Sequence, residues 1–433
     1  MAAKARILIA TVPIYGHVTP LIPLAQRLIA RGHEVRWSTT STFGAQLQAA
    51  GIPFVPATFS HELQGFGRDR YVAGGDELEG IAALKVDLKF GFIDNAPRQL
   101  RDLQAATIDF TPDLVLCDTA CLGARMFAEL TGIPLAVLNV VPLVLTSRDT
   151  APFGLGMAPS ASAFGRIRNS ALNWLVQHVV FRDVQKRWNS VRVAAGLRPA
   201  GWLMDATDTA ALYLNPSVPG IEYPRSDLAS QVHFIGPISA SSDAAWAPPQ
   251  WWHELDSGRP VVHITQGTIA NATPELFAPA LAGLADEDVL LVVATGGRPA
   301  ADLGLDNPPA NTRVEEFIPY AHLLPKVSVV VTNGGYGGVQ LALSHGVPLV
   351  VAGTTEDKPE VAMRVEWSGA GINLRTAAPR PQAVRDAVRA ILDKPGYRAK
   401  AQALGEEYGS YDALTLGTEL IERLVSTTAS ASR

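Results

Sequence analysis

The stretch RILIATVPIYGHVTPLIPLAQRLIARGHEVRWSTT, residues 6–40, decides the fold. Residues 6–12 form a short apolar run of β type. A loop with Pro13 and Gly16 follows, then apolar residues at helical spacing from Val18 to Ala30, closed by Arg31 and Gly32. A basic residue followed by glycine is a helix stop. Glu34 to Thr40 reads as the next strand. Strand, helix and strand in that order make a βαβ unit, which requires a parallel sheet.

The alternation continues outward. Residues 113–117 read as a strand, 122–130 as a helix ended by Gly132, and 135–141 as another buried strand. Residues 77–107 are helix-like, 150–165 form a loop rich in Pro, Gly, Ala and Ser, and 166–195 read as one long helical stretch. The runs 210–214 and 232–235 close this half. A break at 236–250, with Gly236, Pro237, a Ser/Ala run, Pro248 and Pro249, reads as a linker. Strands are then expected at 260–265, 289–295, 327–332 and 348–352, with helices at 273–285, 337–345, 358–368 and 381–393. The expectation is two α/β domains, 1–235 and 236–410, followed by a segment 411–433 whose helix is free to pack back on the first domain before a frayed tail.

Composition narrows the function classes. With 433 residues, 47% hydrophobic and 18% charged, the chain has core to bury and is not disordered. A net charge of −5 argues against nucleic acid as the main partner. The two cysteines, Cys117 and Cys121, exclude a disulfide scaffold and read as small buried thiols. No segment approaches the ~18 apolar residues of a membrane helix, and the N-terminal apolar run ends too soon for a signal peptide. The expectation is a soluble cytoplasmic protein, monomer or homodimer.

In open parallel sheets, ligands bind beyond the carboxyl ends of the strands, and the polar motifs cluster there. His17, after the first strand, is placed to accept a proton near neutral pH, or merely to cap a helix. Asp118, at the end of another strand, could orient that imidazole, or N-cap the next helix. The run Thr332-Asn333-Gly334-Gly335-Tyr336-Gly337-Gly338-Val339-Gln340 joins a strand to a helix, an arrangement suited to an anion such as pyrophosphate. It is neither a GxGxxG nor a Walker loop. Gln266-Gly267-Thr268, Gly296-Gly297-Arg298, Phe317-Ile318-Pro319-Tyr320 and Glu356-Asp357-Lys358 follow neighbouring strands. Together they suit a phosphate, a nucleobase and a sugar, although each alone reads more readily as a turn or a solvated charge. The acidic run Asp286-Glu287-Asp288 has the look of a metal-binding motif but falls at the amino end of a strand, away from the cleft. No His or Cys spacing fits a metal, so none is expected.

In this order and over nearly the whole chain, the motifs resemble family 1 glycosyltransferases, the UDP-glycosyltransferase-like superfamily with the GT-B fold, and within it the bacterial natural-product branch. The carriers are Gly16-His17-x-x-Pro20, Asp118, Gly267-Thr268, Phe317-Ile318-Pro319, the Asn333 glycine loop, and Asp357-Lys358 followed by Ala362. The resemblance implies two Rossmann-like domains facing a central cleft. It also implies inverting, metal-independent O-glycosyl transfer from a nucleotide-diphosphate sugar, a co-substrate with no further cofactor, to a hydroxyl of an apolar small molecule. His17 then matches the general base and Asp118 its orienting carboxylate. Thr268 and Gly267 lie near the diphosphate with Gly334, Gly335, Gly337, Gly338 and the Val339 N–H. Phe317, beside Ile318, stands where the family has a base-stacking Trp. Asn333 replaces a diphosphate-contacting histidine, and Asp357-Lys358 replaces an Asp-Gln pair on the sugar. Because Asn333 is neutral, Arg298 or Lys358 is expected to supply the missing charge. Leu341 stands where many users of UDP-sugars have a ribose-binding Glu, which leans the donor towards dTDP. Acceptor contacts are expected from residues 60–95, with Phe66, Tyr71, Phe90 and Phe92, and from 142–165, with Phe153, Met157 and Phe164, unless these are ordinary core. The rival readings are a nucleotide-sugar epimerase or hydrolase of the same fold, and a catalytically silent auxiliary protein.

Overall fold

The computed structural model describes residues 4–63, 67–238, 246–267 and 275–431. Within them the β-branched and aliphatic runs form two parallel sheets. The first contains β1 (Arg6–Ala10), β2 (Glu34–Thr39), β3 (Phe54–Pro56), β4 (Leu114–Asp118), β5 (Leu135–Leu138), β6 (Leu212–Asn215) and β7 (Val232–Phe234), in the order β3-β2-β1-β4-β5-β6-β7. The second contains β8 (Val261–Thr265), β9 (Leu290–Ala294), β10 (Thr312–Glu315), β11 (Val329–Thr332), β12 (Leu349–Val351) and β13 (Gly371–Asn373), in the order β10-β9-β8-β11-β12-β13.

Each order reverses once, between β1 and β4 and between β8 and β11. These are topological switch points, where neighbouring crossovers leave to opposite faces and open a crevice. The registers bring the strand ends level there: Ala10 faces Cys117, and Thr332 faces Thr265.

The period-2 alternation of β1 and β4 feeds two cores. Leu8, Ala10, Val115 and Cys117 go to one face, and Ile7, Ile9, Leu114 and Leu116 to the other. Each fully buried aliphatic side chain contributes about 1.5–3 kcal/mol. The helix Ala413–Ala431 returns to the first sheet, burying Ile421 and Val425 on the second of these faces.

Two expected helices are broken. Within 77–107, helix Gly80–Val86 passes through a wide π turn, Asp87–Ile93, before helix Ala96–Ala106, whose first turn carries Pro97. Proline cannot sit inside a continuous helix. Within 166–195, helix Ala163–Leu175 and helix Arg182–Ala194 flank a π turn at Val176–Val180. There Val176, Val179 and Val180 are poor helix formers. Among the described residues, no helix is long and apolar enough to cross a membrane.

Candidate active site

The first switch point brings His17 and Asp118 together. After β1, a single helical turn, Tyr15–Val18, carries His17 past the strand end. Asp118 is the last residue of β4. His17 Nδ1 lies 2.7 Å from Asp118 Oδ1. The carboxylate is buried and fixed, accepting the N–H of Val12 on Oδ2 and that of Ala120 on Oδ1, both at 2.8 Å. It does not cap the next helix, Leu122–Thr131, whose N-cap is Cys121. With Nδ1–H donated to the carboxylate, Nε2 keeps the lone pair and can accept a proton.

The second switch point carries the glycine loop. Gly334 has φ +89°, and a Cβ there would meet Val351 Cγ1 at 2.8 Å, so only glycine fits. By contrast, Cβ atoms on Gly335, Gly337 and Gly338 would meet nothing within 4 Å. These three border open space. The helix Tyr336–Ser344 starts among them, and its first N–H groups have no intrahelical acceptor. Unpaired donors and the positive end of the helix make an anion cradle.

Several sequence expectations change here. Val339 buries its side chain, and its N–H donates to the Gly335 carbonyl at 3.0 Å. The free donors therefore end before Val339. Asn333 turns its amide inward, donating from Nδ2 to the Gln266 carbonyl at 2.6 Å and leaving a buried Oδ1 without a partner. It staples the loop after β8 to the loop after β11. Gly267 sits in the same staple with φ +72°. Ile318 is a core residue among Leu323 and Leu324, so only its main chain can reach a ligand. Its neighbour Phe317 is 60% exposed, as a stacking surface must be. Arg298 is half-buried in the loop after β9. Thr268 lies outside the described residues, as does Phe66.

Asp357 is the N-cap residue of the helix Lys358–Ser368. Before it, Glu356 is held in the left-handed region at φ 57°, an uncommon conformation for a non-glycine residue. Lys358 is 4% exposed, and its Nζ donates to Thr355 Oγ1 at 3.1 Å and pairs with the Glu356 carboxylate. Its stem passes the glycine loop: Lys358 Cβ lies 3.8 Å from the place of a Gly334 Cβ. Burial, and then the Glu356 charge, push the Asp357 carboxyl up to about 6, with Lys358 and His17 opposing.

On the first domain, Tyr71 stacks on Phe90 at 5.3 Å, with the Arg187 guanidinium 5.1 Å from the Phe90 ring. Phe92 packs on the core instead. Phe153 and Met157 are half-buried, and Phe164 is exposed. Among the described residues, no group of three His, Cys, Asp or Glu side chains could hold a metal. Glu287 of the acidic run pairs with Arg389 at 2.7 and 2.8 Å.

Sequence reasoning missed a buried network behind the cradle. Glu222 Oε1 accepts from the Tyr336 hydroxyl at 2.8 Å and the Leu143 N–H at 3.1 Å, and Oε2 from Arg364 Nε at 2.9 Å. Arg364 Nη1 also donates to Glu360 Oε2 at 2.9 Å. The Glu360–Arg364 spacing of i,i+4 was readable as a helix pair. Nothing local marked Glu222.

The family described as erythromycin biosynthesis protein CIII-like, C-terminal domain, matches residues 279–426. The chain is 46% identical to 4'-demethylrebeccamycin synthase of Lentzea aerocolonigenes over 423 residues, 97% of this chain and 100% of that one. It is 33% identical to UDP-glycosyltransferase 2 of Phaeomoniella chlamydospora over 98% of this chain and 96% of that one. The calicheamicin glycosyltransferase CalG4 shares the fold with a TM-score of 0.75 at 21% identity, covering 98% of each chain. The spinosyn rhamnosyltransferase SpnG, complexed with thymidine diphosphate, shares it with a TM-score of 0.69 at 20% identity, covering 97% of this chain and 99% of that one. Two parallel-sheet domains, each with a switch point, and identities of 46% and 33% over nearly the whole chain to these relatives lead to one conclusion: the chain belongs to the UDP-glycosyltransferase-like family of GT-B enzymes and is a glycosyltransferase.

Proposed function

We propose that the chain transfers a sugar, with inversion and without a metal, from a nucleotide-diphosphate sugar to a hydroxyl of an apolar natural product. The observation that carries this reading is the His17–Asp118 pair at 2.7 Å, with Asp118 anchored by two main-chain N–H groups. The acceptor hydroxyl gives its proton to His17 Nε2 as its oxygen bonds to the anomeric carbon. The bond from that carbon to the diphosphate breaks on the opposite face, so configuration inverts. Asp118 stabilises the imidazolium. Charge grows on the leaving diphosphate, and fixed donors must meet it. The N–H groups of Tyr336, Gly337 and Gly338 are placed for this, with Lys358 or Arg298 as the cation that neutral Asn333 does not provide. Asp357 takes sugar hydroxyls, and Phe317 stacks on the base.

Leu341 is half-buried on the core of the second domain and offers no carboxylate to a ribose. This supports a thymidine donor ahead of a uridine donor. The name of the 46% identical relative, 4'-demethylrebeccamycin synthase, supports a natural-product acceptor. A nucleotide-diphosphate co-substrate and two buried free thiols suit a cytoplasmic enzyme. A hydrolase or epimerase of this fold has no need of a base and orienter in the acceptor half, and a silent auxiliary protein has no need of an open glycine cradle. The deciding experiment follows donor consumption with and without phenolic and alcohol acceptors. Acceptor-dependent product with inverted anomeric configuration is expected. Equal consumption with no glycoside formed would replace this reading with hydrolysis.

A further inference from the structure

Glu360 lies two residues beyond Lys358, in the first turn of the same helix. Its Oε1 accepts the main-chain N–H groups of Gly154 and Gly156, both at 2.9 Å. Those glycines belong to the 142–165 loop of the first domain. Gly156 has φ +55°, and a Cβ there would come within 3.1 Å of the Pro359 carbonyl, so the loop rests directly on the helix. The other end of the loop is held as well. Leu143 gives its N–H to Glu222, and its carbonyl accepts from Arg225 Nη2 at 2.9 Å. Glu222 in turn holds Arg364 and the Tyr336 hydroxyl. One chain of contacts therefore joins the loop to the two helices whose N-termini frame the cradle. Its members are almost out of solvent, with side-chain exposures of 0% for Glu222, 1% for Arg364 and 5% for Glu360. Charges so buried are stable only while paired, so the geometry is stiff.

We propose that Glu360 is a positioning residue that seats the acceptor loop on the donor-binding domain, coupling donor occupancy to the order of that loop. The inference rests on reading Gly334–Gly338 as the donor cradle. Residues 151–161 have neither helix nor strand of their own, so their order depends on outside bonds. A ligand that fixes the helix N-termini fixes the seat. By linkage, an ordered loop favours that ligand equally.

Amide hydrogen exchange on the full chain tests this, with wild type, E360Q and E360A each measured alone and with saturating dTDP or UDP. In wild type, nucleotide should slow exchange both at 334–338 and at Gly154 and Gly156. In E360A, exchange at the two glycines should rise roughly ten- to a hundredfold, the effect of losing a charge-assisted hydrogen bond, and nucleotide should no longer slow it. Protection at 334–338 should persist. E360Q keeps an oxygen for both amides and should retain most of the protection. Protection of 334–338 by nucleotide without any effect at Gly154 and Gly156 in wild type would overturn the coupling, even if E360A failed to fold. Unchanged glycine exchange in E360A would overturn the seat. Failure of both nucleotides to protect 334–338 would instead sink the donor-cradle reading, and the seat would then stand or fall on exchange without ligand.

Discussion

A histidine serves as a base only when one ring nitrogen is held and the other is left to the substrate. Asp118 holds Nδ1 of His17 at 2.7 Å, so the whole proton-accepting capacity lies at Nε2. His17→Ala should lower transfer to an alcohol acceptor by ~10²–10⁴-fold while leaving nucleotide affinity nearly intact. Asp118→Asn should cost less, since it weakens orientation without removing the base. Wild-type turnover in His17→Ala would end the assignment. Asp357 offers a second test at this scale. Its carboxyl titrates at about 6 in the folded chain, against about 3.9 unfolded. The native state therefore binds the proton more readily, and ionised Asp357 costs stability above about pH 6, a cost that vanishes as the pH falls to the unfolded value. If the ionised form takes the sugar hydroxyls, wild-type donor affinity should fall as the pH drops through 6. Asp357→Asn should flatten that profile while weakening affinity at pH 8, as read by titration with a nucleotide sugar. His17 and Asp118 were legible because strand ends fix where a residue stands. The inward turn of the Asn333 amide and the Val339 N–H bonded within its helix were not, because composition does not say which way an amide faces. Glu222 was invisible because its partner Arg364 is 142 residues away in sequence.

Elements were legible where an apolar run or a period marked them. Strands that are apolar through their length, such as β1, β8, β11 and the three-residue β12, announce themselves, whereas β3, β10 and β13 are half-buried edge strands with Pro, charged or Gly and Asn residues in them. The helical stretch 166–195 has the right composition, but periodicity does not reveal a π turn of five residues inside it. The C-terminal helix was legible as a helix, while its seat depends on tertiary pairing. Glu422 takes Arg31 through Nε and Nη2, both at 2.7 Å, and His33 Nε2 at 2.9 Å. The Arg31 hydrogen bonds, and after them His33, draw the Glu422 carboxyl down to about 2 against the opposing effect of burial. A carboxyl with a depressed folded value stabilises fully above its unfolded value, near 4.3, and loses that contribution as pH falls towards 2. Glu422→Gln should lower the melting temperature at pH 7, and its deficit relative to wild type should shrink between pH 5 and pH 3. A deficit that stays constant over that range in calorimetry would mean that the carboxylate is not what anchors the helix.

Across the whole molecule, two switch points face one site, and the division of labour follows from what each sheet carries there. The first presents the proposed base and its orienter, His17 and Asp118, and the second presents a helix N-terminus with a lysine beside it. If, as proposed, fixed donors and a cation take the part that a metal plays elsewhere, turnover should survive excess EDTA, and a loss restored by Mg²⁺ or Mn²⁺ would count against the cradle. The donor nucleotide is then a matter of what the second domain leaves unpaired. A uridine brings a ribose 2′-hydroxyl, and Leu341 packs on the core with no acceptor for it. Leaving a buried hydroxyl unpaired costs about 1–3 kcal/mol, roughly tenfold or more in affinity, and a deoxyribose avoids that cost. A nucleotide present at a hundred times its Kd should stabilise the fold by about 2.7 kcal/mol. At equal concentrations, dTDP should therefore raise the melting temperature more than UDP and displace it in competition. Leu341→Glu should narrow or reverse the difference by supplying the missing acceptor. Tenfold tighter binding of UDP to the wild type would mean that another group, or an ordered water, serves the ribose.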